Sequence, residues 1–564
     1  MTPFLPDVIE RYRALGAWGD ETVWQRFIAN CQAMPERDAV IDDPRRPTFT
    51  VGTPKRLTYR DLAEAADRLA AVLVSDGFEK DDVIVVQLPN VAEQIELYLA
   101  AAKLGLVISP IPIQYRHKEI ADVLEISGAT ACFTTSNFKG FDHVEFFLTR
   151  PSGPPVRVYA WGCSRNPGAI DLEARLAERA QGQEGESVKA AQVSPDEIFS
   201  ICWTSGTEAK PKGVPRTHNN WMTTGKGIVA GGRLRDGCRL LNPFPTVNMA
   251  SIGGIWMPWL ITCGTFVLHH PFDLDGFLDQ LKSEHINYTV VAPALLNRIA
   301  RDKKLLASLD LGELDGIGTG SAPPDAWMMR VFERELNVTV TNFFGSNEGV
   351  SLTSGIDDVA DPEARARFFP RAGHSRFAWR NPAMNWSETK LLNVETGKEI
   401  DEPGRVGELI IRGPSVFPGY FRRGTVIRDV FDDEGYYSSG DLFEIAEDAS
   451  GPRYYRFVGR KREMIIRGGM NISPLELDSL LSKHPLLKDA AVAGYPDDRL
   501  GERVCAYVVP EEGAEISLES LAEFLTEQGL AQYKFPERLQ ILEALPRSPL
   551  NKIVRRKLTS TSTK

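Results

Sequence analysis

Residues 203 to 214 read Trp203-Thr-Ser-Gly-Thr-Glu-Ala-Lys-Pro-Lys-Gly-Val214, and they constrain the fold more than any other stretch. Ile198-Phe-Ser-Ile-Cys-Trp203 just before them is an apolar run of the length of a buried strand. Thr217 and His218 after them lead into helix-forming sequence. The connection holds small hydroxyl residues, two glycines and two lysines. Gly206 and Gly213 let backbone N–H groups approach an anion. Thr204, Ser205 and Thr207 offer hydroxyl donors, and Lys210 and Lys212 offer charge. A loop of this composition suits phosphate oxygens. It is not a Walker loop, because the Gly-x4-Gly-Lys-Ser/Thr spacing is missing. A polar surface loop with ordinary lysines has the same composition, so the rest of the chain must decide.

At 564 residues the chain is long enough for more than one domain. The formal charge of −11 comes from acids and bases mixed along the sequence, with no basic face for nucleic acid. Seven scattered cysteines without a Cys-x-x-Cys spacing predict reduced thiols and a cytoplasmic protein. Met1 to Glu10 lack the basic and apolar regions of a signal peptide. Met249 to Leu268 carry no charge and could span a bilayer by length. Gly253, Gly254, Pro258 and Gly264 interrupt them, and the reading is a buried helix followed by a buried strand.

Thr58-Tyr-Arg-Asp61 has the spacing of a helix N-cap, with Leu62, Ala65, Leu69 and Leu73 on one face of the helix it opens. Val83–Leu88, a helix over 91–104 and a strand over Val107–Ile113 follow. Residues 120–162 repeat the alternation less clearly, and 181–195 form a polar surface connection. Strand–helix alternation implies an α/β fold of mainly parallel sheets covered by helices. Further strands are expected at Tyr288–Val291, before the turn Ile317-Gly-Thr-Gly-Ser-Ala-Pro323, and at Val338–Thr341 before Asn342-Phe-Phe-Gly-Ser-Asn-Glu-Gly349. Ligands in such sheets bind at the carboxyl ends of strands, where both turns lie.

The stretch at 203–214 resembles the phosphate-binding signature of the adenylate-forming superfamily: acyl-CoA synthetases, stand-alone adenylation enzymes and luciferases. Glu208 and Ala209 depart from its Thr-Ser-Gly-Thr-Thr-Gly-x-Pro-Lys-Gly pattern, and Glu208 is expected to face solvent. The resemblance implies that Thr204, Ser205, Gly206 and Thr207 hold ATP, and that Gly320, Ser321 and Ala322 form the adenine turn. It places Asn342, Phe343, Phe344, Gly345, Ser346 and Asn347 around the nucleotide. Glu348, with Thr204, would hold Mg2+. Asn347 stands where the family has Thr, and Phe344 where it has Tyr. The acid pocket falls on Val247, Asn248, Met249, Ile252 and Gly253, and Asn248 is also a natural helix cap. Gly404–Ile410 and Tyr437-Ser-Ser-Gly-Asp441 follow in family order, with Asp441 on the ribose.

Phe457 to Glu476 resemble the family's domain junction. Arg460 would touch the nucleotide, Arg462 would be the hinge, and Gly468 and Gly469 would border the coenzyme A tunnel. The organisation implied is an N-terminal domain, 1–461, carrying acid and ATP sites, and a mobile α+β domain, 462–564. Leu545-Pro-Arg-Ser-Pro-Leu-Asn-Lys552 puts Lys552 at the catalytic lysine position, with Asn551 in place of Gly. Lys212 would join it in catalysis. Local likeness of Arg11–Trp18 to cyclic- and aryl-acid-activating members points the same way.

The activity implied is conversion of a carboxylic acid and ATP to an acyl-adenylate, then transfer to the thiol of coenzyme A. The acid is expected to be a cyclic, aryl or medium-chain monocarboxylate. Two readings stay open beside it: loading of a carrier-protein phosphopantetheine, and a nucleotide-binding relative without turnover, which Glu208, Asn347 and Asn551 would favour. A homodimer is left open.

Overall fold

A computed structural model describes residues 1–163, 166–182, 188–204, 210–468, 470–548 and 553–561. The chain divides into two compact units. The first comprises 1–389 and 411–437, and the second 390–410 and 438–564. Residues 461 and 462 both lie in the second.

The first unit is built on two sheets. In one, the strands Ile198–Thr204, Val107–Pro110, Val83–Val86, Ala131–Thr135, Arg157–Trp161 and Ile170–Asp171 run parallel in that spatial order. Lys212–Thr217 and Tyr420–Arg422 extend its other edge antiparallel. In the second sheet, Thr339–Gly345, Gly316–Gly320, Tyr288–Val291, Arg239–Asn242, Thr265–Leu268 and Asp38–Ile41 are parallel neighbours. The central parallel strands are largely buried and rich in apolar residues, as a sheet covered by crossover helices requires. The mainly parallel α/β reading therefore holds.

Local signals explain the elements. Thr58 caps the helix Tyr59–Ser75 in a full capping box with Asp61, and Leu62, Ala65, Leu69 and Leu73 are buried. Thr217 does the same for His218–Gly231, with Asn220 as the reciprocal partner. The segment after Asn248 is helical, but its first part, Met249–Trp256, is a π-helix, followed by the α-helix Met257–Thr262 and the strand Thr265–Leu268. π-Turns of this kind often mark functional sites. Among the described residues, no helix is long and apolar enough to cross a membrane.

The strands expected over Val83–Leu88 and Val107–Ile113 end at Val86 and Pro110, and two boundaries at the candidate site also differ from the sequence reading. Gly213 lies inside a strand rather than in the loop, paired with Trp203, and a Cβ there would meet Ile201 and the Phe421 carbonyl at 3.1 and 3.3 Å. Strand pairing with Gly316–Gly320 on one side and Ser351–Ser354 on the other carries Thr339–Gly345 through Asn342, Phe343, Phe344 and Gly345, so the turn starts only at Ser346.

In the second unit, the long antiparallel strands Leu487–Asp497 and Gly501–Pro510 form a sheet with Ile465–Arg467, Met470–Ile472 and Arg538–Ile541. The helices Pro474–Leu481 and Leu518–Glu527 bury Leu477, Leu481, Leu521 and Leu525 in its core. Ser517 caps the latter helix.

Candidate active site

In the first unit the predicted residues gather at strand ends. Thr204 closes one strand, opposite Lys212. Gly320 closes another, and Ser321 after it takes a left-handed conformation with φ 69°. A Cβ on Gly320 would sit 2.5 Å from the Phe343 carbonyl, so that strand end and its neighbour approach closely only because the side chain is missing. The Phe344 ring packs edge-on against Phe369 at 6.0 Å. Asn342 is buried, and its amide nitrogen donates to the carbonyls of Arg365 and Ala366. Its side chain thus braces the fold behind the site.

Glu348 is half-buried. The Tyr420 hydroxyl donates to its Oε1 at 3.1 Å, and the Tyr437 hydroxyl stands 3.3 Å from that of Tyr420. Lys212 Nζ lies 5.0 Å above the centre of the Tyr420 ring. One carboxylate, one cation and two phenols therefore share this corner. Gly349 fixes the backbone beside it with φ 92°, and a Cβ there would fall 1.9 Å from the Ser415 carbonyl oxygen.

Asn347 joins the two sheets. Its Nδ2 donates to the Trp203 carbonyl at 3.0 Å, and its Oδ1 accepts from the Met249 N–H at 3.0 Å. Asn248 caps the π-helix by accepting from the Ala250 N–H. Met249 lies along Gly345, and Gly253 leaves room for its sulfur: a Cβ on Gly253 would be 2.7 Å from Met249 Sδ. Val247 and Ile252 are buried.

Behind Asn347 sits Arg216, fully buried on the strand Lys212–Thr217. It donates to the carbonyls of Asn347 and Asn220 and to Thr224 Oγ1, and its guanidinium stacks 4.3 Å over Trp221. Burial pulls its pKa down to about 10, against the opposing influence of Cys202 and Glu348, and it stays protonated at neutral pH.

The second unit carries Asp441 and Arg460. They pair across adjacent strands, with Arg460 Nε 3.5 Å from Asp441 Oδ1. Gly440 precedes Asp441 in a left-handed conformation, and its N–H donates to Glu408. Glu408 also accepts from Ser438 and Lys461, which hold its carboxyl below the usual range against the effect of burial. Arg462 is exposed in a short 3-10 turn. Gly468 has φ 56° and donates to the Leu500 carbonyl. Ser205, Gly206, Thr207, Glu208, Gly469, Asn551 and Lys552 lie outside the described residues.

Tyr420, Arg216 and Glu408 had not been singled out. Arg216 carried a signal, a charge between Pro215 and Thr217 in a strand whose residues from Gly213 on are buried. Tyr420 carried none.

The AMP-binding enzyme family matches residues 27–421, and the AMP-binding enzyme C-terminal domain matches 476–552. This chain is a member of the AMP-binding enzyme family. The medium-chain fatty-acid–CoA ligase of Escherichia coli (strain K12) is 30% identical, over 96% of this chain and 90% of that protein. The 2,3-dihydroxybenzoate-AMP ligase of Bacillus subtilis (strain 168) is 27% identical over 99% and 96%. The ATP-bound MatB structure from Rhodopseudomonas palustris shares the fold, with a TM-score of 0.78, 22% identity, and coverage of 97% of this chain and 99% of that one. The chain is therefore an adenylate-forming acid ligase by family, and its relatives include both CoA ligases and aryl-acid AMP ligases.

Proposed function

We propose that this member is an AMP-forming acid–CoA ligase acting on a cyclic, aryl or medium-chain monocarboxylate. The observation that carries the reading is the corner of Glu348, Tyr420 and Lys212, set at the strand ends beside Thr204 and the Asn347 link. A carboxylate attacking the α-phosphate of ATP is an anion meeting an anion, so the site must supply positive charge along the approach.

Lys212 and Lys552 are assigned that role, with Thr204, Ser205, Gly206 and Thr207 lining the phosphates. Gly320, Ser321, Ala322 and Phe344 are assigned to the adenine, and Asp441 and Arg460 to the ribose and phosphate. A single carboxylate with a hydroxyl neighbour suits Mg2+, which binds through one or two carboxylates plus substrate phosphates. Glu348 would hold it, and its charge would offset that developing on pyrophosphate. Val247, Met249, Ile252 and Gly253 make the acid side apolar, and none of these residues is a basic group for a second carboxylate.

In the second half-reaction the thiol attacks the acyl carbonyl, and AMP leaves with the electron pair of the broken C–O bond. Lys552 has no role there, and rotation about Arg462 is proposed to withdraw it and bring Gly468 and Gly469 to the thiol path. Division at 461/462 is part of this proposal.

Carrier-protein loading shares the first half-reaction, and the likeness to an aryl-acid AMP ligase favours it as the second reading. The test is pyrophosphate release across a panel of acids, each with and without coenzyme A. Acyl-CoA formation with free coenzyme A supports the first reading. Release that coenzyme A does not stimulate, with transfer to a carrier protein, supports the second. Lys552→Ala should abolish adenylate formation yet spare thioester formation from a supplied acyl-adenylate. Equal loss in both steps would remove the role given to Lys552.

A further inference from the structure

We infer that Asn347 is a positioning residue through which occupation of the acid side and of the ATP side is coupled, with buried Arg216 as its fixed anchor. The inference rests on the functional reading above, which places ATP at 204–212 and the acid at 247–253.

The geometry is specific. One side-chain amide spans the carbonyl of Trp203, the residue before the phosphate loop begins, and the N–H of Met249, the first residue of the π-helix. Both bonds are 3.0 Å. The main-chain carbonyl of Asn347 accepts from Arg216 at 2.9 Å, and the next residue is Glu348. Four elements therefore meet at one residue. They are the strand feeding the phosphate loop, the start of the acid-side helix, the magnesium-site carboxylate and a buried guanidinium.

Arg216 is an unusual anchor. It is fully buried, and its Nε has no hydrogen-bond partner. It forms no ion pair among the described residues; carbonyls, a hydroxyl and an indole face it instead. A buried guanidinium without a carboxylate costs stability, and its planar fork holds its acceptors rigidly. With its peptide carbonyl so held, Asn347 has little freedom except in its side chain. Displacement of Trp203 when the ATP side is filled must then strain or relieve the bond to Met249, and the reverse.

The side chain here is an amide. Its two polar atoms, one a donor and one an acceptor, reach a carbonyl and an N–H on separate elements. Threonine, found here in the motif this chain resembles, offers a single oxygen on a shorter side chain. This departure from the pattern, which the sequence offered as evidence against activity, becomes a device for linking two sites.

The test uses the full-length protein. ATP–pyrophosphate exchange with octanoate, cyclohexanecarboxylate and benzoate first selects the acid that the wild type activates best. Calorimetry then gives the Kd of α,β-methylene-ATP, which cannot release pyrophosphate, with and without that acid at saturation. Coupling between sites in one protein is commonly about 5-fold or more, and the wild type is expected to show it. Asn347→Thr and Asn347→Ala should bind the analogue equally, within about twofold, with and without acid, while thermal unfolding shows both variants folded. Arg216→Lys, which keeps the charge but loses the fork, should reduce the coupling part-way. Purely structural use of Asn347 would lower the unfolding temperature and leave the ratio of the two Kd values as in the wild type, and that result overturns the inference. Absence of acid-dependent exchange in the wild type would instead overturn the functional reading beneath it.

Discussion

Tyr420→Phe removes one oxygen from the candidate metal corner and little else. The ring keeps its edge contact with Phe417, at 4.9 Å between centres, and its face towards Lys212. Strand pairing through Phe421 and Gly213 is untouched. What is lost is the hydrogen bond to Glu348 Oε1 and the contact with the Tyr437 hydroxyl. A hydrogen bond to an ionised acceptor contributes about 1.5–3 kcal/mol. Glu348 is only half-buried, so water replaces part of it and the low end applies. That corresponds to roughly tenfold, and groups that orient a metal ligand typically cost about 10–100-fold in metal affinity when removed. The assay is acid-dependent ATP–pyrophosphate exchange titrated with MgCl2. The half-saturating Mg2+ concentration should rise about tenfold by the same conversion, while the rate at saturating Mg2+ changes less. Tyr437→Phe is the control, because it leaves the bond to Glu348 in place and should shift the titration by less than about threefold, the scale of a weak hydrogen bond. An unchanged Mg2+ requirement in folded Tyr420→Phe would refute the assignment of Glu348 to the metal, or of Tyr420 to holding it. Equal shifts in the two variants would show that the phenol pair acts as a unit.

Gly349→Ala should inactivate the exchange reaction and lower stability by at least about 1–2 kcal/mol from backbone handedness alone. Its Cβ would meet the main-chain oxygen of Ser415 at 1.9 Å, so Ser415→Gly should give no rescue; recovery in the double variant would refute the clash. Asp441→Ala should weaken ATP binding by about 1.5–3 kcal/mol, as expected for a charged acceptor lost from the ribose. Folding should change little, because its partner Arg460 is half exposed; unaltered ATP affinity by calorimetry would give the carboxylate another role.

Burial holds His143, His218 and His270 neutral, with pKa values lowered to about 4, 3 and 3 from an ordinary 6.5. The stability they contribute is present above about pH 6.5 and is lost as pH falls towards 4, because only the unfolded chain takes up the protons. Each histidine should add about 1.4 kcal/mol of lost stability per pH unit in that window. Urea unfolding at pH 7 and pH 5 measures the slope, which His218→Gln should reduce by one proton's worth. An undiminished slope would mean that His218 charges within the fold.

Much of the scaffold was legible because its signals are local. The capping residues Thr58, Thr217 and Ser517 accept from orphan N–H groups three residues on, a local signal that sets where their helices start. The strands at 83, 107, 198 and 288 are mainly apolar and buried along their length, as strands of a helix-covered parallel sheet are. The order of the Gly-rich turns along the chain placed the candidate site at strand ends for the same reason.

Tertiary structure decided what those residues do to one another. Gly213 and the segment 342–345 look like loop sequence, yet both are strand because neighbouring strands supply their hydrogen-bond partners. Neither Asn342 nor Asn347 differs in any local way from a turn asparagine. The first braces the carbonyls of residues 365 and 366, and the second bridges residues 203 and 249, distances in sequence that no pattern encodes. Tyr420 meets Glu348 across 72 residues. Sequence pattern determines which backbone groups must be satisfied nearby; which side chains satisfy the remainder depends on the register in which distant strands come to lie together.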